Sequence, residues 1–153
     1  MRVMGVDPGE RRIGVAISDP TGTIARPLET ITHRSRAKDI DRLAGLVEET
    51  GAEMVVMGLP LSLNGSSGPQ ARWAARYARD LAAVLSVPIV MWDERYSSSV
   101  AREILRDNGK RSRQHSSQKG EVDSVAAAVI LQGYLDSQIQ DRINGEPASC
   151  AGR

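Results

Sequence analysis

Three β-type runs are crowded into the first 31 residues of this chain, and that spacing constrains the fold more than anything else in it. Val3 to Val6 is a short apolar run closed by Asp7-Pro8-Gly9, the pattern of a buried strand ending in a turn. Arg12 to Ser18 (RIGVAIS) is a second run, followed by the turn residues Asp19-Pro20-Thr21-Gly22. Ile24 to Ile31 is a third, and Pro27 inside it marks an edge-like or bulged strand. Strands this close in sequence are expected to be joined by hairpins.

Beyond them the pattern alternates. Ile40, Leu43, Leu46 and Val47 recur at helical spacing, with Gly51 as a stop. Met54 to Met57 (MVVM) is continuously apolar, as a strand covered on both faces should be. Pro69 suits a first helical turn, and Ala74, Tyr77, Ala78, Leu81, Ala82 and Leu85 continue one apolar stripe. Val87 to Trp92 (VPIVMW) reads as another strand, Ser97 to Asn108 as a short helix, Asn108 to Gly120 as a polar loop, and Val122 to Ile139 as a last helix. Asn144 to Arg153 has no pattern and reads as a frayed tail. The order β-β-β-α-β-α-β-α-α implies an α/β fold: a mixed sheet, three antiparallel strands and then two parallel ones, with helices on both faces.

Composition narrows the function classes. At 153 residues the chain is expected to form one domain, residues 1–140, followed by a disordered tail, 141–153. Aromatic residues are 3% with no Phe, which leaves few rings for a binder built on aromatic platforms. Lys and Arg number 20 against 19 Asp and Glu, so any nucleic-acid argument must rest on local clusters. One cysteine, Cys150, excludes an intrachain disulfide and a Cys-rich zinc site. No signal peptide or membrane span is legible, and a cytoplasmic protein is expected. GxxxxGK[ST], GxGxxG and GxSxG are absent, and His33 and His115 read as surface or loop residues, which argues against a Ser-His-Asp hydrolase.

Carboxylates in unusual places remain. Asp7 ends the first strand, Asp93 and Glu94 end the last, and Asp123 opens the final helix. The C-terminal ends of strands are where α/β sheets bind ligands. Carboxylates converging there would repel unless cations neutralise them, and hard oxygen donors suit Mg²⁺ or Mn²⁺. Two such ions are standard equipment for phosphodiester cleavage. Each acid also has an ordinary reading: Asp7 at the start of a turn, Asp123 as a helix cap, Asp93-Glu94-Arg95 as a surface cluster. Asp93 and Glu94 point to opposite faces of an extended strand, so one of them at most is expected to be a ligand. From Arg106 to Lys119 the chain carries Arg106, Lys110, Arg111, Arg113 and Lys119 against Asp107, a candidate clamp on phosphates. Arg11 and Arg12 could act likewise, and the Gly65 to Gly68 loop before a helix is a weaker anion site. Trp73 and Tyr77, four apart on one helix, read as core packing rather than base stacking, and Trp92 likewise as core.

The segments VMGVDPGERRIGVAISDP, MGLPLSLNGSSGPQA, DERYSSSVA and VDSVAAAVILQGYLD resemble, in this order, those of the YqgF or RuvX family. These are RNase H-like proteins known as Holliday-junction-resolvase-like or pre-16S rRNA nucleases, and the resemblance spans residues 1 to 138. It implies an RNase H-like, five-stranded mixed sheet and a divalent-metal nuclease whose acidic triad matches Asp7, Glu94 and Asp123. Glu94 is preferred to Asp93 on that basis alone. The implied cofactor is a pair of Mg²⁺ or Mn²⁺ ions, Asp7 bridging both and Glu94 and Asp123 each holding one. Arg12, Arg95 and Lys119 are then expected on substrate phosphates. Expected partners are precursor rRNA or branched DNA and no membrane, with the chain a monomer or weak homodimer. The stretch Gln114 to Gln118 departs from the family by being more polar than the Lys/Arg-dense segment common in relatives. Two other readings compete. Asp7-x-Gly9-x4-Gly14 also looks like the first phosphate loop of actin- and sugar-kinase-like ATPases, which need two such domains around ATP. The third is a non-catalytic RNA-binding assembly factor.

Overall fold

The computed structural model describes residues 1–59, 68–93 and 118–145, with side chains of the last helix described from Asp123 onward. The expected helix from Ser97 to Asn108, most of the basic segment, Glu94, Arg95 and the residues after 145 lie outside the described residues.

The strands are β1 (Val3–Asp7), β2 (Arg12–Ser18), β3 (Ala25–Thr32), β4 (Met54–Leu59) and β5 (Ile89–Asp93). The described helices are α1 (Arg36–Thr50), α2 (Pro69–Ala82) and α3 (Gln118–Asn144). All five strands form one sheet in the order β3-β2-β1-β4-β5. β1 runs antiparallel to β2, and β2 to β3, while β1, β4 and β5 are parallel. The mixed sheet read from the sequence is the one observed.

Local chemistry explains the ends of the elements. β3 lies at the sheet edge, and the register against β2 slips between Val15 and Ala16: Val15 faces Glu29, and Ala16 faces Pro27. Proline cannot donate to a ladder, so an edge position with a bulge is where it fits. Between β2 and β3 the Asp19 carboxylate accepts from the amides of Thr23 at 2.8 Å and Ile24 at 2.9 Å and from the Thr21 hydroxyl. These bonds, the one from Ile24 foremost, hold its carboxyl well below the usual carboxylate range. Ser35 caps α1 by accepting from the Lys38 amide, and Gly51 ends that helix at φ 69°. Pro69 stands in the first turn of α2, after Gly68.

The sheet separates two apolar layers. On one face Met4, Val6, Ile13, Val15, Ile17, Val55 and Met57 pack against Leu43 and Val47 of α1 and Tyr77 and Leu81 of α2. On the other, Val3, Ala16 and Val56 pack against Ala127, Ala128, Leu131, Tyr134 and Leu135 of α3. Trp92 joins this second layer and meets the Tyr134 ring edge-on, centroids 5.6 Å apart. Gln132 ties α3 to the sheet edge, accepting from the Ala25 amide at 2.8 Å and donating to the Thr23 carbonyl at 3.0 Å.

α3 is longer than expected at both ends. It begins at Gln118, so residues 118–120 are helical rather than loop, and it continues past Ile139 to Asn144. Gly120 costs helix about 1 kcal/mol relative to Ala, an amount that packing of the following turns against the sheet readily offsets. At the far end Gln140 donates to Asn144 one turn later, at 3.1 Å.

Candidate active site

Strand direction brings the C-terminal ends of β1, β4 and β5 to one edge of the sheet. Asp7 ends β1 and Asp93 ends β5, with β4 between them. The first and last parallel strands are therefore two strand spacings apart, about 10 Å, rather than adjacent.

Alternation decides which face each acid takes. Val3 packs on the α3 side, Met4 and Val6 on the other, and a Cβ placed on Gly5 would meet the Leu131 Cβ of α3 at 2.8 Å. Asp7 continues the odd-numbered series toward α3. On β5, Val90 and Trp92 face α3, which leaves Asp93 on the opposite side.

Asp123 reaches the same place from the helix. Asp7 is the register partner of Gly14 on β2. A Cβ added to Gly14 would come within 1.9 Å of the Asp123 carbonyl oxygen and 2.4 Å of its carbon, so any larger residue would collide with helix backbone. Gly14 thus lets α3 lie directly on the sheet beside Asp7, and the two acids, 116 residues apart in sequence, become neighbours on one face. Asp123 is the sixth residue of α3, not its cap, which removes the capping explanation for it.

Arg12, expected on substrate phosphates, donates from Nε to Asp123 Oδ2 at 2.8 Å. Both side chains are about a third exposed (38% and 31%), so the pair adds modest stability and chiefly fixes where the carboxylate lies. Lys119 falls on the first turn of α3, and its side chain is outside the described residues, as are Glu94 and Arg95. Among the described residues no cluster of three His, Cys, Asp or Glu groups forms a metal cage. The donors the structure does supply are two carboxylates on one face, hard oxygen ligands of the kind Mg²⁺ and Mn²⁺ take. That donor chemistry fits a divalent ion that completes its coordination from elsewhere.

On its other side Asp7 borders an open cavity of about 550 Å³, lined also by Glu10, Gly58, Gln70, Trp73 and Arg76.

The first 137 residues match the family RuvX, described as Holliday junction resolvase. The chain belongs to the RuvX family. Among RuvX relatives, one from Thermoanaerobacter pseudethanolicus is 43% identical over 138 residues, 90% of this chain and 98% of the relative. Another, from Chloroflexus aggregans, is 46% identical over 136 residues, 89% of this chain and 94% of the relative. Both carry the name "Putative pre-16S rRNA nuclease". Of solved structures, Thermus thermophilus RuvC bound to a Holliday junction superposes with TM-score 0.60 at 15% identity, covering 92% of this chain and 96% of that one. The Fowlpox virus resolvase with its Holliday junction DNA gives 0.51 at 12% identity, covering 90% and 98%. At such identities these two establish the shared RNase H-like fold of the resolvases and nothing finer.

Sequence reasoning missed two things. Asp39 is buried at 2% exposure, accepting from the Arg34 amide at 3.2 Å and pairing with His33 Nδ1 at 2.5 Å. His33 therefore anchors a buried acid as well as sitting in a loop. Trp73 packs against the core as expected and also lines the cavity beside Asp7. No short-range pattern marks either contact.

Proposed function

We propose that this chain is a divalent-metal-dependent nuclease that hydrolyses phosphodiester bonds, with precursor 16S rRNA as its substrate. One observation supports the reading: Gly14, the register partner of Asp7, lies directly against the backbone of Asp123, in a chain of the RuvX family. Asp7 and Asp123 would hold Mg²⁺ or Mn²⁺, two ions in the full site, with Glu94 as a third donor. The choice of Glu94 over Asp93 rests on the family's acidic triad, and Asp93 itself falls on the face away from Asp7. Bound divalent ions supply Lewis-acid chemistry, activating water for attack on phosphorus and neutralising charge on the departing oxygen. The protein's own part is to hold the carboxylates at a fixed separation and to place cations near the substrate. Arg12 orients Asp123 and lowers the repulsion between the acids; Arg95 and Lys119 would meet flanking phosphates without reading sequence.

The relatives' name favours RNA, and the name attached to the family favours four-way DNA. The test is cleavage of a precursor 16S rRNA fragment and of a four-way DNA junction with Mg²⁺ or Mn²⁺. RNA cut at a defined site, falling about 100-fold or more in Asp7→Asn and in Asp123→Asn, is the expected result. Preferential cutting of the junction moves the substrate to DNA. Binding of either nucleic acid without cleavage makes the chain an assembly factor and overturns the nuclease reading.

A further inference from the structure

The cavity beside Asp7 is lined from α2, and a strand whose phosphate rests at the acidic pair would have its next nucleotide within reach of it. At about 550 Å³ it has the volume of a small-ligand site. Of the described aromatic rings, Trp73 lines it. That ring is half-buried and held in place: Tyr77, itself buried, lies 5.4 Å away at 40°, and the Arg36 guanidinium stands 5.8 Å from its centroid. Arg36 is anchored in turn by Asp80 at 2.8 Å. A ring fixed on the core side and facing a cavity on the other is a stacking surface that loses little entropy when something flat covers it.

The polar groups around it match one kind of guest. Gln70 offers an amide donor and acceptor, the pair needed at the edge of a nucleobase. Arg76, exposed on the same helix, offers a cation to a flanking phosphate. Glu10, also lining the cavity, disfavours a phosphate beside it and can accept from an exocyclic amine.

We propose that this cavity is a subsite for one unpaired nucleobase next to the scissile phosphate, stacked on Trp73, so that the enzyme selects single-stranded over fully paired substrate. The proposal rests on the nuclease reading and deepens it by naming the substrate class. A base held in a duplex is stacked between its neighbours and cannot enter without unpairing. One ring makes a single-base pocket, which agrees with a chain too poor in aromatics for an extended platform.

The experiment uses the whole chain carrying Asp7→Asn to prevent turnover and Trp92→Phe to leave Trp73 as the one tryptophan, there being two in the sequence. An eight-nucleotide single-stranded RNA is added, then the same strand annealed to its complement. Quenching of Trp73 emission by the single strand and not by the duplex is expected. Trp73→Leu should weaken single-strand binding about tenfold by fluorescence anisotropy, while Trp73→Phe, which keeps a ring, stays within about threefold. Unchanged emission on saturation with single strand overturns the proposal, as does an affinity unaltered in a folded Trp73→Leu chain. Should the leucine variant fail to fold, emission and the phenylalanine variant decide. Cleavage of the same RNA by the unaltered chain with Mn²⁺ is read in parallel. RNA cut while Trp73 stays silent removes the base subsite and leaves the nuclease; Trp73 quenched without any cut does the reverse.

Discussion

The two faces of the sheet are built from different residues for different ends. Toward α1 and α2 the strands present Met4, Val6, Ile13, Val15, Ile17, Val55 and Met57, large side chains that keep the helices at ordinary distance and fill the space between. Toward α3 they present Gly5, Gly14 and Ala16 among a few larger residues, and α3 answers with Ala127 and Ala128. The first face stores most of the apolar burial. The second gives some of it up, and the backbone of α3 at Asp123 comes directly against Gly14, the register partner of Asp7. On the proposed reading, most of the stability rests on one face and the metal-holding carboxylates stand on the other.

Substitutions can break that division. Leu43→Ala, in the α1 layer, should cost about 2–5 kcal/mol in urea unfolding while leaving the specific activity of the folded fraction unchanged. Gly14→Ala should cost less, about 1–3 kcal/mol, yet reduce cleavage as much as loss of Asp123, because the atom it meets is backbone that no rotamer can move. If Gly14→Ala cleaves normally, the close approach of α3 is irrelevant to the site. Ser35→Ala should cost about 1 kcal/mol through the lost α1 cap, again without touching activity.

The smallest effect lies in the α1/α2 layer. The Tyr77 hydroxyl is buried with no hydrogen-bond partner among the described residues. Burial first, then the charge of Asp39, push its pKa up to about 12, with Arg36 pulling the other way. The folded chain thus holds the phenolic proton more tightly than the unfolded chain, where tyrosine titrates near 10. Its contribution is whole below about pH 10 and is lost as pH rises toward 12. Tyr77→Phe should erase that alkaline slope and change stability at pH 7 by less than about 1 kcal/mol, measured by thermal unfolding across pH. An unaltered slope would place the alkaline transition in another group.

Much of the fold was legible because it is written locally. Pro27 announced the bulged edge strand, Gly51 the end of α1 and Pro69 the start of α2. The start of α3 was not, since Gln118-Lys119-Gly120 has the composition of a loop and becomes helical through packing farther along. The site was legible as a set of acids at strand and helix ends, and only in part as an arrangement. Arg12 and Asp123 are 111 residues apart, and no periodicity connects an arginine after a turn with an acid on the last helix. Nor does any spacing show that Gly14 is where strand and helix touch.

Titration of Mn²⁺ against the whole chain, followed by the paramagnetic resonance of the free ion, tests most directly whether Asp7 and Asp123 form one binding centre. Asp7→Asn and Asp123→Asn should each weaken binding about tenfold or more, and the double variant should be little worse than the weaker single one, as for two ligands of a shared centre. Affinity that neither substitution changes, or losses that simply add, would contradict the account.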